Sequence, residues 1–420
     1  MAETYSPTLS YRLITWALFP LALAHTFYIS VKHKNLTYLV NRFARYKKFN
    51  LSKQPIWCHC ASVGEINTAL PLLHSLNNQG ESLVISTNTV TGYDTLTNAN
   101  IHNACHVFLP LDYCSLGQRF INHFTPKLCL IFETELWPSL LLTSAKNNIA
   151  IAIMNGRISD KTLNAPIFLL KNYKRILNQT HHIVSSSNEN STRFISLGAK
   201  PSSITTLDNL KFANLNSSSI AAPNSPLDYA FLLCASTHAG EEEEILKAWQ
   251  AQGPKGLGLV IAPRHPTRIK EICQLLEHLG LEYSLHSNNI SHAHSDTVYI
   301  IDTLGELIPF IAHAEMVFMG GSLVPVGGHN VIEPAQFKRC ILIGEHYYDF
   351  KTIVDDLTSH NAIEIVKDGD QLVNRICSLT DAHETRSQMG ERAYKYIESK
   401  KQVLSAYIEI VKQLLKSHTA

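Results

Sequence analysis

The chain has 420 residues, 45% of them apolar and 17% charged, and a formal net charge of +1. That length accommodates two domains with their own cores. The composition excludes a disordered, fibrous or disulfide-built protein, and the nine cysteines are scattered singly, as in a protein kept reduced. Cys58 and Cys60 share one strand face, but no second pair completes a zinc site.

Charge is unevenly spread. Between Thr4 and Gly64 there is no Asp or Glu, while Arg12, Lys32, Lys34, Arg42, Arg45, Lys47, Lys48 and Lys53 are all basic. Setting these eight and Glu3 aside from totals of 36 and 35 leaves 28 basic and 34 acidic residues from position 65 onward. The same end carries the one membrane-like run, Leu13 to Val31, nineteen mostly apolar residues interrupted by Pro20, His25 and Ser30. Basic residues on its carboxyl side predict a membrane anchor with all that follows in the cytoplasm. A cleaved signal peptide would need the opposite charge layout. Spanning the bilayer and lying in its interface against anionic lipids both fit residues 1–50.

From residue 55 short apolar strands alternate with polar turns and amphipathic helices. Strands are predicted at Ile56–Ala61, Leu83–Ser86, His106–Leu109, Leu128–Phe132, Ile151–Met154 and Ile183–Ser185. After the first, Ile66, Leu70, Leu73 and Leu76 recur at helical spacing. Ala213 to Asp228, rich in Asn, Ser, Ala and Pro, reads as a linker. A second series follows at Phe231–Ala235, Leu259–Ala262, Val298–Ile301, Met316–Met319, Cys340–Ile343 and Ile363–Val366, then a helical stretch from Ala382. Buried runs alternating with helices predict an α/β protein of parallel sheets covered on both faces. The expectation is two doubly wound Rossmann-like domains, 51–212 and 229–420, joined by linker 213–228 with a cleft between them.

Polar residues gather just after these strands, where open α/β sheets bind ligands. Met319 to Pro334 (MGGSLVPVGGHNVIEP) sets two Gly pairs before a helix start with Pro334 at its first position. That pattern predicts a cradle for a phosphorylated or carboxylated ligand. Glu65 begins a helix whose dipole would hold it ionised, as a base requires; a first-turn acid serving only the dipole is the plainer alternative. Glu133 and Glu135, either side of Thr134, could share a proton, orient a hydroxyl, or simply be exposed. Arg264, between Pro263 and His265, offers a guanidinium to an anion. Lys211 precedes the linker. Glu241 to Glu244 read as a solvated first helical turn, and Asp368-Gly369-Asp370 as a loop with Asp370 capping a helix.

Taken together, HCASVGE (59–65), ETELWP (133–138), NGRIS (155–159), STHAGEE (236–242), APRHPTR (262–268), DTLGEL (302–307) and GGSLVPVGGHNVIEPA (320–335) occur in order across nearly the whole chain. In this the sequence resembles the 3-deoxy-D-manno-octulosonic acid (Kdo) transferases of lipopolysaccharide biosynthesis. The resemblance implies a GT-B glycosyltransferase that inverts the anomeric carbon. It would use CMP-Kdo without metal or cofactor and act on the tetraacylated lipid A precursor (lipid IVA) at the cytoplasmic face of the inner membrane. No nucleic-acid partner is implied. Glu65 would be the general base, and Glu133 or Glu135 with Lys211 would stabilise the transition state. Pro263, Arg264, Leu304, Gly305, Glu306, Asn330, Val331, Ile332 and Glu333 would bind CMP. The family usually has Gly before its Asn-Leu-Lys, where this chain has Asp208. A UDP-sugar epimerase, a lipid-linked N-acetylglucosaminyl transferase and a non-catalytic lipid or nucleotide-sugar binder are the competing readings.

Overall fold

A computed structural model describes residues 5–217, 224–288 and 294–418. It divides into two compact units, Met1–Ser217 with Lys401–Ala420, and Ser218–Lys400.

The first unit is built on seven parallel strands: β1 (Ile56–His59), β2 (Leu83–Thr87), β3 (Ala104–Phe108), β4 (Leu128–Phe132), β5 (Ala150–Gly156), β6 (His182–Ser185) and β7 (Ile204–Thr206). Their order is β3-β2-β1-β4-β5-β6-β7. The second unit repeats the plan with β8 (Phe231–Thr237), β9 (Gly258–Pro263), β10 (Tyr283–Leu285), β11 (Val298–Ile300), β12 (Met316–Met319), β13 (Cys340–Gly344) and β14 (Ile363–Val366), ordered β10-β11-β9-β8-β12-β13-β14. Nearly every central-strand residue is buried, as helices on both faces require. All twelve predicted strands are present. β7 and β10 are additional; each has three residues, partly exposed at a sheet edge, and so lacks an apolar run.

The domain boundaries differ from the sequence reading in two places. Leu210–Ser217 forms a helical turn with Leu210, Phe212 and Ala213 buried in the first unit, so residues 213–217 belong to that unit rather than to a linker. The final helix, Val403–His418, packs on the helix Val63–Asn78 of the first unit, burying Tyr407 and Val411 there.

The amino-terminal run is not a single anchor helix. It forms two helices, Leu9–Ala17 and Phe19–Lys32, bent by 52° at Leu18. Among the described residues no single helix is long and apolar enough to cross a membrane, although this bent pair passes by length and composition. The pair is fastened to the first unit: the Tyr11 hydroxyl donates to Asp112 at 2.6 Å and the Tyr113 hydroxyl to the Thr15 carbonyl at 2.7 Å. Arg42, counted above among the basic flank, instead donates to the Leu109 carbonyl at 2.8 Å. The other seven basic side chains of this region are exposed.

Candidate active site

In each sheet the chain winds outward from one strand, then resumes on that strand's other side. The loops that diverge there leave a natural opening at the carboxyl ends. In the first unit this point lies between β1 and β4, paired in register from Ile56 with Leu128 to His59 with Ile131. The loops emerging beside each other are those carrying Glu65 and Glu133-Thr134-Glu135.

Ser62 caps the helix Val63–Asn78, and Glu65 is its third residue, giving the S-x-x-E arrangement of a capping box. The Glu65 carboxylate accepts from the Ala61 N–H at 2.7 Å and from the Ser62 hydroxyl at 3.3 Å. It therefore holds the loop in shape as well as facing the site. Its protonation differs from the dipole-based expectation. Burial pushes the carboxyl up to about 8, with the charges of Glu133 and Glu135 adding to the rise, against the opposing hydrogen bonds from Ala61 and Ser62. Desolvation outweighs the helix terminus.

Glu135 is tuned the other way. Burial alone would raise it, but His59 and the Trp137 indole hold it below the usual carboxylate range. Its Oε2 accepts from Trp137 Nε1 at 2.8 Å and Asn88 Nδ2 at 3.3 Å. His59 Nε2 stands 3.8 Å away, outside hydrogen-bonding distance, and this fully buried atom has no partner. On its other side His59 Nδ1 lies 2.9 Å from the Ser86 hydroxyl, which accepts from Trp57 Nε1 at 2.8 Å. Trp57, Ser86 and His59 thus form a hydrogen-bonded chain that runs from the core and ends facing Glu135. His59, Asn88 and Trp137 were not singled out from the sequence, although His59 and Trp137 lie inside the motifs HCASVGE and ETELWP.

Glu133 has φ +58°, Asn155 +55° and Ser236 +56°. Left-handed backbone costs a non-glycine residue on the order of 1 kcal/mol or more, and these three stand at the ends of β4, β5 and β8, among the loops of interest. Asn155 Oδ1 accepts the Leu210 N–H at 3.0 Å. It thereby anchors the turn bearing Lys211, which packs on the same helix as Glu65.

In the second unit the corresponding opening lies between β8 and β12. Here the glycine-rich segment does form an anion cradle, but the anion is the chain's own. The fully buried Glu241 carboxylate accepts from the N–H groups of Gly321 (2.7 Å), Ser322 (2.9 Å), Leu323 (2.9 Å) and His238 (2.9 Å). A ligand cradle on those amides is therefore corrected to an internal staple. Glu242 is also buried, held through both oxygens by Arg268 at 2.8 and 3.2 Å. The solvated acidic turn is thus corrected for its first two residues. Gly320 is obligatory, since a Cβ would lie 2.6 Å from the Ser236 carbonyl oxygen. The helix after this segment is only Ile332–Gln336, with Pro334 third rather than first.

The predicted CMP-binding residues all stand at this end of the second sheet. Pro263 closes β9, and Arg264 follows it, exposed. Leu304-Gly305-Glu306 precede the helix Leu307–His313, with Leu304 78% exposed and Glu306 2.9 Å from His286 Nε2. Asn330 Nδ2 donates to Glu333 Oε1 at 3.0 Å. Burial raises the Glu333 carboxyl, partly offset by Asn330 and Arg264. Val331 and Ile332 are buried, so their side chains form a floor and not a contact surface. Asp368, two residues earlier than Asp370, caps the helix Gly369–Thr380. Among the described residues no three His, Cys, Asp or Glu side chains gather as a metal ion would need.

Residues 38–214 match the family model for 3-deoxy-D-manno-octulosonic-acid transferase (kdotransferase). The chain is 30% identical to the 3-deoxy-D-manno-octulosonic acid transferase of Haemophilus influenzae over 374 residues, covering 86% of this chain and 88% of the relative. It is 31% identical to the enzyme of that name from Rickettsia prowazekii over 372 residues, 86% and 80% of the two chains. The chain belongs to the 3-deoxy-D-manno-octulosonic acid transferase family. This Kdo transferase also shares its fold with the crystal structure of a glycosyltransferase from Rickettsia africae (TM-score 0.62, 14% identity, 87% of this chain and 99% of that one). Both units accordingly have the parallel-sheet α/β fold expected from the sequence.

Proposed function

We propose that this Kdo transferase moves Kdo from CMP-Kdo to a hydroxyl of the lipid A precursor (lipid IVA), inverting the anomeric carbon, with Glu65 as the general base. The acceptor hydroxyl's proton passes to Glu65 while its oxygen bonds to the anomeric carbon. The bond from that carbon to the phosphate oxygen breaks, and CMP leaves with the electron pair. The observation that carries the assignment is the opposite tuning of two neighbouring carboxyls, Glu65 raised to about 8 and Glu135 lowered. Environments that push two titratable groups apart separate the proton acceptor from the fixed charge. Glu135, kept ionised, faces the positive charge that develops on the sugar ring, with Glu133 and Lys211 beside it in the same unit. Arg264 receives the leaving phosphate, Asn330 and Glu333 take the ribose hydroxyls, and the backbone of Leu304-Gly305-Glu306 borders the base. The experiment is product analysis by mass spectrometry after incubation with CMP-Kdo and lipid IVA, for the natural protein and Glu65→Gln. Full transfer by Glu65→Gln would remove Glu65 from the mechanism.

For location, we propose that the bent helix pair lies in the cytoplasmic interface of the inner membrane. Leu9, Leu13, Trp16, Leu18, Leu21, Phe27, Tyr28 and Val31 are all at least half exposed. Exposed Arg12, Lys32, Lys34, Arg45, Lys47 and Lys48 supply charge for anionic headgroups. An apolar surface of this extent flanked by basic residues suits a bilayer face.

A further inference from the structure

The mechanism above leaves one histidine cluster unused. His238, on the loop after β8, and His329, on the loop after β12, approach Nε2 to Nε2 at 2.8 Å with their rings nearly parallel. His265, after β9, puts its ring centroid 5.7 Å from that of His238. The pair stands at the opening between β8 and β12, the place where a doubly wound sheet receives its ligand.

This approach is built into the fold. Glu241 binds the His238 N–H and three N–H groups of the β12 loop with one carboxylate, joining the two loops that carry the rings. Gly321 has φ +68°, and a Cβ there would press on both rings, 3.0 Å from His329 and 3.4 Å from His238. A side chain at that position would crowd both rings and strain a left-handed backbone.

Two facing Nε2 atoms at that distance hold one hydrogen between them. In the neutral pair the ring that accepts it carries its other hydrogen on Nδ1, and the ring that donates it has a bare Nδ1. The neutral pair therefore has one donor and one acceptor on its two Nδ1 atoms. A single added proton turns both Nδ1 atoms into donors and makes the pair a cation.

The geometry points to an oxyanion-binding site on His238 and His329, which takes up a proton as it receives the phosphate or the sugar carboxylate of the donor. This deepens the donor reading above and rests on it. The charges acting on His238 are His265, Arg264 and Arg268 from the segment after β9, and Glu242 from the helix Glu241–Gln252; Glu241 lies behind, and Tyr347 borders Gly328. Glu242 is already matched by Arg268. Burial and the surrounding cations hold the free His238 below its ordinary value. An arriving anion reverses that balance and draws in the proton.

Isothermal titration calorimetry of the full-length protein at pH 7.5, in buffers of different ionisation enthalpy, counts the protons bound. CMP-Kdo is expected to bind with uptake of about one proton. CMP alone and free Kdo divide the sources: uptake with CMP assigns the phosphate, and uptake with Kdo or only with CMP-Kdo assigns the carboxylate. His329→Asn and His238→Asn should abolish the uptake and weaken CMP-Kdo roughly tenfold or more, the loss of one charge-assisted hydrogen bond. His329→Gln serves as a second variant should one fail to fold, with circular dichroism as the check. Unchanged proton uptake in these variants, or binding of CMP-Kdo without uptake in the natural protein, would overturn the assignment. Absence of any CMP or CMP-Kdo binding to the natural protein would overturn the donor reading and this site together. Glu333→Gln separates the two, since it should weaken CMP without altering the proton count.

Discussion

Replacing Glu65 by Gln should disable the enzyme and, at alkaline pH, stabilise it. In the folded protein this carboxyl is raised from its ordinary value to about 8, mainly by burial. Folding therefore takes up a proton between about pH 4.5 and 8. Across that window the unfolded chain holds fewer protons than the folded one, so stability falls as pH rises. Below the window Glu65 is a neutral acid, closely imitated by Gln. Above it, the ionised form is disfavoured by about 5 kcal/mol at 1.36 kcal/mol per unit, or roughly 2–3 kcal/mol after screening at a partly exposed site. The amide keeps an acceptor for the Ala61 N–H. Melting curves at pH 5 and pH 9 should then show nearly equal Tm at pH 5, with the variant higher by roughly 4–10 °C at pH 9. Turnover should drop by about 10²–10⁴ above pH 8, as for loss of a general base, and by progressively less at lower pH, where the natural carboxyl is already protonated. In the natural enzyme kcat/KM should climb with pH, reach half its maximum near 8 and level off above it. A Tm difference independent of pH would refute the burial argument, and a pH–rate profile flat from 6 to 9 would refute the base.

His59→Gln should let the Glu135 carboxyl rise, because burial would then act with less opposition. The loss in kcat/KM should be about tenfold at pH 6 and shrink toward pH 9; a loss uniform in pH would make His59 merely structural. Glu333→Gln should raise the Kd for CMP by roughly tenfold through a lost charge-assisted hydrogen bond, measured by calorimetry, and an unchanged Kd would remove it from the ribose site. Glu241→Gln places an amide N–H₂ against four N–H donors; it should destabilise the second unit by about 3 kcal/mol or more, read as an earlier melting transition. Changing Leu13, Trp16 and Phe27 together to Ser should weaken binding to anionic vesicles at least about tenfold, since each apolar side chain contributes roughly 1.5–3 kcal/mol when buried. Undiminished flotation with such vesicles would exclude this face as the membrane contact.

The central strands were legible because a strand covered on both faces must be apolar along its length, as Leu128–Phe132 and Cys340–Ile343 are. Strand ends marked Glu65, the Glu133–Glu135 pair and Arg264 by position alone. What escaped depends on contacts distant in sequence. Nothing near Glu241 shows that its carboxylate enters a loop about eighty residues later, and a run of four glutamates imitates a solvated turn. His59 occupies an alternating strand position that reads equally as core. The last helix has an amphipathic pattern, and such a pattern records an apolar face without naming the surface that covers it. The proline and bend near Leu18 split a run that hydropathy counts as continuous.

The return of Val403–His418 to the first unit has a consequence for how the molecule can be made and taken apart. The chain passes between the units twice, once after Ser217 and again at Lys400–Lys401. A single cut between Ser217 and Asn224 would leave the halves covalently joined, and releasing the second unit intact would need a cut at each passage. During synthesis the order is inverted as well: the half that emerges first cannot bury the surface meant for Tyr407 and Val411 until the other has been translated. The earlier half is the later one to be finished.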